Sequence, residues 1–447
     1  MSSKPRTRSS KKPTLIIYGA TSYTARQLLA YLDTHPDSVS FDFILAGRNQ
    51  QKLEQANNKL SQSREVVACQ LDDPDGVRSL VAKGDIVVNL AGPFRWHNAE
   101  ALISECAKTG KHYVDLCGES SWLATDIIPR YNNLAIQSKA CIVPSCGFDS
   151  IPSDLTLYLA HKTLQARHPV LTISASQSFF KMKGGSMSGG TIQSMYSVAE
   201  LPKDKRRSGE HDCIPKDGIL PKTRSTILKL SYIMKIPNKA RRYGSFFFMY
   251  PYNRTIVRRT QYLTNLFSGS NSGLASDSGS STPKYGKEMK YEESMDIGRG
   301  KIGSSIFSFC LFFVFGLFYA SKLIRKLCTY ILPKAGEGVS DEQLFKASYA
   351  VTNLSTSTPL PDGRTVQIST TFKGQGDPGY LNTCYLLAES ALALTLDKDK
   401  LPIPASKGGL LTPSIAMGDV LVDRLRKSGK FEISSEILGE DSDKKID

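Results

Sequence analysis

Nine cysteines are spread along the 447-residue chain without one CxxC pair or a Cys/His spacing of the metal-ligand kind, which argues against a zinc-built module and against a disulfide framework. The thiols are expected to be reduced, as in a protein facing the cytosol, and no metal is expected. No internal repeat is apparent. No signal peptide opens the chain: the first thirteen residues hold Lys4, Arg6, Arg8, Lys11 and Lys12 and no acid, but Leu15 begins a strand-like run where an apolar h-region would have to stand. Residues 1–13 read as a basic, disordered tail, with a weak membrane-binding arm or a transit signal as the alternative. With 40% hydrophobic and 22% charged residues the remainder is ordinary for a globular protein, so disorder is local and two or three domains are expected.

The absence that matters most is one of charge. From 302 to 321 twenty residues pass without a charged side chain, between Lys301 and Lys322. With Gly303, Gly316 and early serines, and at about 1.5 Å rise per residue, the stretch is marginal for a full membrane span. Three readings stand open: monotopic insertion into a membrane or droplet monolayer, a buried interface helix such as that of a homodimer, and a true span. Lys322, Arg325 and Lys326 suit anchoring to headgroups from the cytosolic side. The expected location is a lipid droplet or a membrane surface, that of the endoplasmic reticulum or mitochondrion included.

Positive charge is in excess, and unevenly. The net charge is +15, and residues 201–260 carry fifteen Lys/Arg against four Asp/Glu, or +11 of it. Such a field attracts an anionic partner. Aromatics interleave with this segment at Tyr243, Phe246, Phe247, Phe248, Tyr250 and Tyr252, a mixture that can stack on single-stranded nucleic acid. Because residues 246–249 fall in an apparent strand, core packing is the plainer account, and anionic lipid is the better partner. No nucleic acid is expected.

Residues 14–150 alternate strand-like and helical stretches, the rhythm of a parallel sheet covered by helices. Strands are expected at 14–18, 41–46, 65–70, 86–90, 113–115 and 141–144, with helices at 25–33, 50–61, 74–83, 98–109 and 128–138. The fold class is α/β: an N-terminal Rossmann-type dinucleotide-binding domain over 14–150, then a second α+β domain over 151–447 that carries the hydrophobic segment. In the second domain strands are expected at 171–180, 244–250, 253–260 and 365–373, and helices at 341–352 and 379–396. A helix and one strand are expected within 410–436. Residues 265–300 read as a flexible insertion, since seven of the fourteen residues 268–281 are Ser and three are Gly. The C-terminal part is expected to pack back on the first domain.

The chemistry begins at Leu15-Ile16-Ile17-Tyr18-Gly19-Ala20-Thr21-Ser22-Tyr23-Thr24-Ala25-Arg26. An apolar strand running into glycine and small hydroxyl residues and then a helix lets backbone N–H groups face a pyrophosphate. The glycine fingerprint is incomplete, with Ser22 and Ala25 in the later positions; the Ser22 hydroxyl can bond a phosphate, and a tight turn without ligand is the bland alternative. The second strand ends Ala46-Gly47-Arg48-Asn49, with no carboxylate to hold a ribose 2′-hydroxyl and an arginine that can pair with a 2′-phosphate. NADP(H) is therefore favoured over NAD(H). After the fourth strand, Ala91, Gly92 and Pro93 let the nicotinamide ribose lie against the backbone, with Arg95, Trp96 and His97 expected near the nicotinamide end; for His97 a plain surface loop position is the alternative.

Together, Gly19-Ala20-Thr21-Ser22-Tyr23-Thr24, Ala46-Gly47-Arg48, Ala91-Gly92-Pro93-Phe94, Tyr113-Val114-Asp115-Leu116-Cys117-Gly118-Glu119 and Cys146-Gly147-Phe148-Asp149-Ser150-Ile151-Pro152-Ser153-Asp154 resemble the saccharopine dehydrogenase-like oxidoreductases. The similarity continues through Gly189-Gly190-Thr191, Val257-Arg258-Arg259-Thr260-Gln261, Gly379-Tyr380 and Thr412-Pro413, nearly the whole chain. Within that family the sequence is similar to a eukaryotic branch associated with membranes and lipid droplets, and to bacterial trans-acting enoyl reductases of lipid polyketide synthesis. The resemblance implies an NADP-type cofactor, a link to lipid or glycolipid metabolism and no established catalytic residues. It does not imply a saccharopine activity.

Two carboxylates are candidates for chemistry. Asp149 is read either as a proton relay or substrate-orienting group or as the cap of the helix containing Pro152; Glu119 is read as a general acid or as a solvated loop carboxylate. Cys117 has no adjacent base and is not taken as a nucleophile. Residues 188–191 are expected to cap a helix facing the cleft. The function expected is NADP(H)-dependent oxidoreduction of a lipid-linked substrate, an enoyl group in particular, with a non-catalytic nucleotide-binding protein of lipid surfaces as the alternative.

Overall fold

The structure, a computed structural model, describes residues 12–184, 189–202, 205, 209–215, 218, 229–268, 285–286, 288–331 and 340–438. The basic tail, but for its last two positions, and most of the Ser/Gly-rich stretch lie outside the described residues. In the N-terminal part, apolar runs become strands: β1 Thr14–Tyr18, β2 Asp42–Gly47, β3 Val66–Ala68, β4 Ile86–Asn89, β5 His112–Asp115 and β6 Cys141–Val143. Leu15, Ile16 and Ile17 are fully buried, as strands of a parallel sheet covered on both faces must be. The order β3-β2-β1-β4-β5-β6 reverses its winding between β1 and β4, and the crevice at that reversal is where open α/β sheets take ligands.

Further on come β7 Ile173–Lys183, β8 Tyr232–Met234, β9 Arg242–Gly244, β10 Lys290–Met295, β11 Ser348–Ser357, β12 Gln367–Gln375, β13 Gly409–Leu410 and β14 Phe431–Leu438. Five of them form a mixed sheet in the order β10-β7-β11-β12-β14, and β8 and β9 form a separate ribbon. The helix Ile151–Arg167 lies across β11, β12 and β14. β13 extends the first sheet, parallel to β6, and the buried helix Thr383–Leu396 packs on β4, β5 and the helix Tyr23–Asp33. There Glu389 accepts a hydrogen bond from Tyr31 Oη and lies 2.9 Å from His35 Nε2.

Several expected elements differ. Of residues 244–250 only Gly244 belongs to a strand, as the end of β9, with one bridge from Ser245 to Met295; a turn then leads into the helix Tyr250–Ser268, which stands where a strand is expected at 253–260. The β-branched Thr255, Ile256 and Val257 favour a strand locally, and up to Thr264 this helix is buried on nearly every side, its arginines included. The helix expected at 341–352 stops at Lys346, and β11 takes over with alternate residues buried. The insertion expected over 265–300 is reduced, because the helix continues to Ser268 and β10 occupies Lys290–Met295; β10 was hidden by its two glutamates, one of which, Glu293, is buried. The basic segment also differs in character. Arg254, Arg258 and Arg259 are buried: Arg258 Nε donates to Glu210 Oε2 at 3.0 Å, and Arg259 donates to the carbonyls of Cys213 and Leu410. These charges bind the fold together rather than project a field.

The uncharged stretch is one helix, Gly300–Ala320, and it is built inside out. Its small polar side faces the protein: Ser304 and Ser308 are buried, and Ser308 Oγ accepts from the Phe246 N–H at 2.8 Å. Phe312 and Phe315 pack on Phe246 and Phe248, so the aromatic run after β9 seats this helix. Its apolar side faces out, with Ile302 77%, Phe309 62% and Phe313 61% exposed. The next helix, Lys322–Ile331, adds exposed Leu323, Leu327 and Tyr330 at spacings that share one face. The helix is long and apolar enough to cross a membrane, and only 17% of its apolar window is buried within the chain, so it is not a core helix of this fold.

Candidate functional site

The strand β1 delivers its chain to Gly19, whose φ of +80° is the left-handed region that glycine occupies freely. A Cβ there would lie 2.9 Å from the Ala91 backbone nitrogen, so the first turn and the loop after β4 touch backbone to backbone. The turn is held by the Gly19 and Ala20 N–H groups donating to Ala46 O at 2.9 and 3.2 Å. Ser22 caps the helix Tyr23–Asp33 through its Oγ, which accepts from the Ala25 N–H at 3.2 Å. The hydroxyl expected to reach a phosphate is thus engaged as a cap, and backbone N–H groups at the helix start are left for that task. Thr21 is exposed beside it, and Tyr23 packs edge-on against Tyr380 at 5.5 Å.

Arg48 stands exposed at the end of β2. The His97 imidazole is held below its ordinary pKa by burial and by the Arg48 charge, and the neighbouring Asn98 Nδ2 donates to Leu71 O at 2.7 Å, so this end of the loop lies toward β2 and β3. The loop after β4 is therefore split. His97 joins the β2 side, while Arg95 turns to the β5 side, where its backbone N–H donates to Glu119 Oε2 at 2.9 Å. Ahead of both, the Gly92–Pro93 peptide bond is cis.

Glu119 is not a solvated loop residue: it is 2% exposed, and burial raises its pKa against the lowering effects of the Arg95 N–H and the Ser197 hydroxyl. Ser197, on the helix Gly189–Glu200, also takes the Arg95 side chain, Nε to Oγ at 3.2 Å and Nη2 to the carbonyl at 2.8 Å. Nothing in the sequence marks Ser197 as a partner. Asp115, pushed up to about 6 by burial, is a buttress: it accepts from Tyr113 Oη and from the Cys117 and Ser145 N–H groups, all within 2.9 Å. Cys117 is buried with its thiol pKa raised well up by burial, in keeping with its exclusion as a nucleophile.

After β6, Gly147 packs closely on Thr383, whose Oγ1 accepts from the Phe148 N–H at 3.0 Å. Asp149 does not cap the following helix; Ser150 occupies the N-cap position, without a side-chain bond. Burial alone pushes the Asp149 carboxyl up to about 6. Asp149 is half-buried by its surface, and a carboxyl with a raised pKa at the ligand end of the sheet has the character a proton relay needs. By contrast Asp154, also raised to about 6, is satisfied by Thr260 Oγ1 and the Ser414 N–H. Of residues 188–191, Ser188 and the side chain of Thr191 lie outside the described residues; the helix itself begins at Gly189. Among the described residues no cluster of His, Cys, Asp or Glu is arranged to hold a metal.

The donor set fits NADP(H): a left-handed glycine in backbone contact with the neighbouring loop, the N-terminus of a helix, and an exposed arginine where the sequence has no carboxylate at the end of β2. A family profile described as "Saccharopine dehydrogenase NADP binding domain" matches residues 15–143. A Mycobacterium tuberculosis protein provisionally named a trans-acting enoyl reductase is 29% identical over 443 residues, covering 93% of this chain and 96% of its own. A trans-acting enoyl reductase of Mycobacterium ulcerans is 28% identical over 444 residues with the same coverage. The apo saccharopine dehydrogenase (L-Glu forming) of Saccharomyces cerevisiae superposes with a TM-score of 0.54 over 96% of this chain and all of its own, at 12% identity, a likeness of fold. The chain carries an NADP-binding domain of the saccharopine dehydrogenase type over residues 15–143 and is homologous along nearly its whole length to mycobacterial trans-acting enoyl reductases.

Proposed function

We propose that the protein reduces an enoyl group on a lipid-linked acyl or polyketide substrate, at a membrane or lipid-droplet surface. The observation that carries this is the union in one chain of an NADP-binding crevice with an apolar helix turned outward. An apolar face this continuous is uncommon on soluble monomers and suits insertion into one leaflet.

Bound NADPH supplies a hydride. The residues to hold it are the Gly19–Ser22 turn, with Arg48 and His97 on the 2′-phosphate side and Gly92 and Pro93 beneath. The substrate double bond becomes single by gaining a hydride at the β-carbon and a proton at the α-carbon. The chain's part is to stabilise the developing enolate oxygen with a donor and to return the proton. Asp149, with its raised pKa, holds a proton for that return in part of the molecules near neutral pH. The Phe148 N–H is already given to Thr383, which removes it from the donors available. Incubating purified protein with NADPH and a panel of enoyl thioesters and unsaturated lipids, and following cofactor oxidation and product mass, tests the reading. Tight NADPH binding without turnover on any member favours the non-catalytic lipid-surface protein instead.

A further inference from the structure

The apolar helix and the cofactor loop are joined by one short helix. In Gly189–Glu200, Tyr196 and Ser197 are consecutive and reach in different directions. Tyr196 faces the lipid-side helices: its ring packs edge-on against Phe318 at 5.1 Å, and its hydroxyl donates to Arg325 O at 2.7 Å. Arg325 is itself buried and folds back to cap Gly300–Ala320, its Nη1 donating to the carbonyls of Phe318 and Tyr319 at 2.7 and 3.1 Å. Ser197 faces the crevice, where it binds the Arg95 guanidinium with both its hydroxyl and its carbonyl, while the Arg95 N–H binds Glu119. Each contact is a directed hydrogen bond or a ring packed at contact distance, and the helix between them is a stiff unit of twelve residues.

We propose that Ser197 is a positioning residue, through which seating of Gly300–Ala320 on a lipid surface sets Arg95 and Glu119 beside the bound cofactor. The inference rests on the lipid-surface reading above and adds a coupling to it. The inward side of the helix is held by the Phe246 N–H to Ser308 bond and by Phe312 and Phe315, while its outward apolar face makes no contact within the described residues that lipid contact would displace. Lipid fixes that helix and the Arg325 cap, and with them Tyr196. Because Ser197 is the next residue, its grip on Arg95 follows, and with it the loop that carries Pro93 and Phe94 under the cofactor. Contiguous packing supplies the route, and a change in NADPH affinity on lipid binding is the coupling energy that demonstrates it.

The chain contains two tryptophans, and they flank the coupled pair: Trp96 follows Arg95, and Trp122 lies three residues after Glu119. The experiment adds vesicles of phosphatidylcholine with a third of phosphatidylserine to the full-length protein. It records sedimentation with the vesicles, tryptophan emission and NADPH affinity, for wild type, Ser197→Ala and Tyr196→Phe. Wild type is expected to sediment, to change its emission, and to bind NADPH at least about fivefold more tightly with vesicles than without. Ser197→Ala is expected to sediment equally but to lose both responses; Tyr196→Phe, which keeps its ring on Phe318, is expected to lose part of them. A purely structural serine predicts something else: lower affinity with and without vesicles, and an unchanged ratio. That ratio, or a wild type that sediments with no change in emission or affinity, overturns the coupling and leaves the lipid-surface reading intact. A wild type that does not sediment overturns both.

Discussion

Gly19 and Ala91 meet backbone to backbone: a Cβ on Gly19 would stand 2.9 Å from the Ala91 nitrogen, at a φ of +80°. The turn after β1 and the loop after β4 hold each other at the winding reversal of the sheet, where a dinucleotide pyrophosphate would lie. Gly19→Ala must move backbone, because the atom it meets is not a flexible side-chain end. It is expected to weaken NADPH binding at least about tenfold, with a loss of roughly 1–3 kcal/mol in stability from the strained conformation. Titration of NADPH fluorescence together with thermal unfolding measures both.

Cofactor choice follows from Arg48. A charge-assisted pair with the 2′-phosphate contributes on the order of 1.5–3 kcal/mol, so Arg48→Ala should cost NADPH roughly ten- to a hundredfold in affinity while leaving NADH nearly unchanged. Loss of the Arg48 charge also removes one cause of the depressed His97 pKa, which should then rise; histidine NMR titration reads it directly. Equal affinities of wild type for the two cofactors would contradict the assignment of Arg48.

Asp149 gives a prediction in which stability and turnover move in opposite directions. Its folded pKa of about 6 lies above the ordinary 3.8, so the folded state holds the proton more tightly than the unfolded chain. Its contribution is therefore unpenalised below about pH 4, worsens as pH rises toward 6, and is at its most unfavourable above that. Asp149→Asn should stabilise the protein by roughly 1–3 kcal/mol at pH 7.5 and by nothing near pH 4. Turnover should fall in the same variant, since the amide holds no transferable proton. A variant as active as wild type would remove Asp149 from the reaction.

The first sheet was legible because its strands are apolar runs of the right length separated by amphipathic helices, and the phosphate turn follows β1 without interruption. The second domain was less so, for a physical reason. The helix Tyr250–Ser268 is buried around its circumference with Arg258 inside, and β10 buries Glu293; both defeat a reading that equates polar with exposed. Within the site, the turn, Arg48, Glu119 and Asp149 could be named from sequence. Ser197 could not, because its role comes from a contact across about a hundred residues with Arg95, and no local pattern records that. His97 was named from its place in the loop after β4, but its response to the Arg48 charge is a tertiary relation that no local pattern records.

Membrane seating separates the outward residues of the apolar helix from the inward ones. Phe309 and Phe313 are exposed, whereas Phe312 and Phe315 pack on Phe246 and Phe248. Phe309→Asp with Phe313→Asp should release a folded protein from vesicles, each charge costing a few kcal/mol in the apolar layer. Phe312→Asp with Phe315→Asp should instead lower the unfolding temperature. If the outward pair leaves lipid binding intact and converts a dimer to a monomer, the helix is an interface between two copies of the chain.

The measurement that bears most directly on the central claim is single-turnover reduction of an enoyl thioester by the vesicle-bound protein with NADPH deuterated at both C4 positions, read by product mass and fragmentation. The account predicts a product that has gained one deuterium at the β-carbon and one solvent hydrogen at the α-carbon, and no such product from Gly19→Ala. Tight, saturable NADPH binding with no deuterium transferred to any long-chain enoyl substrate would contradict it.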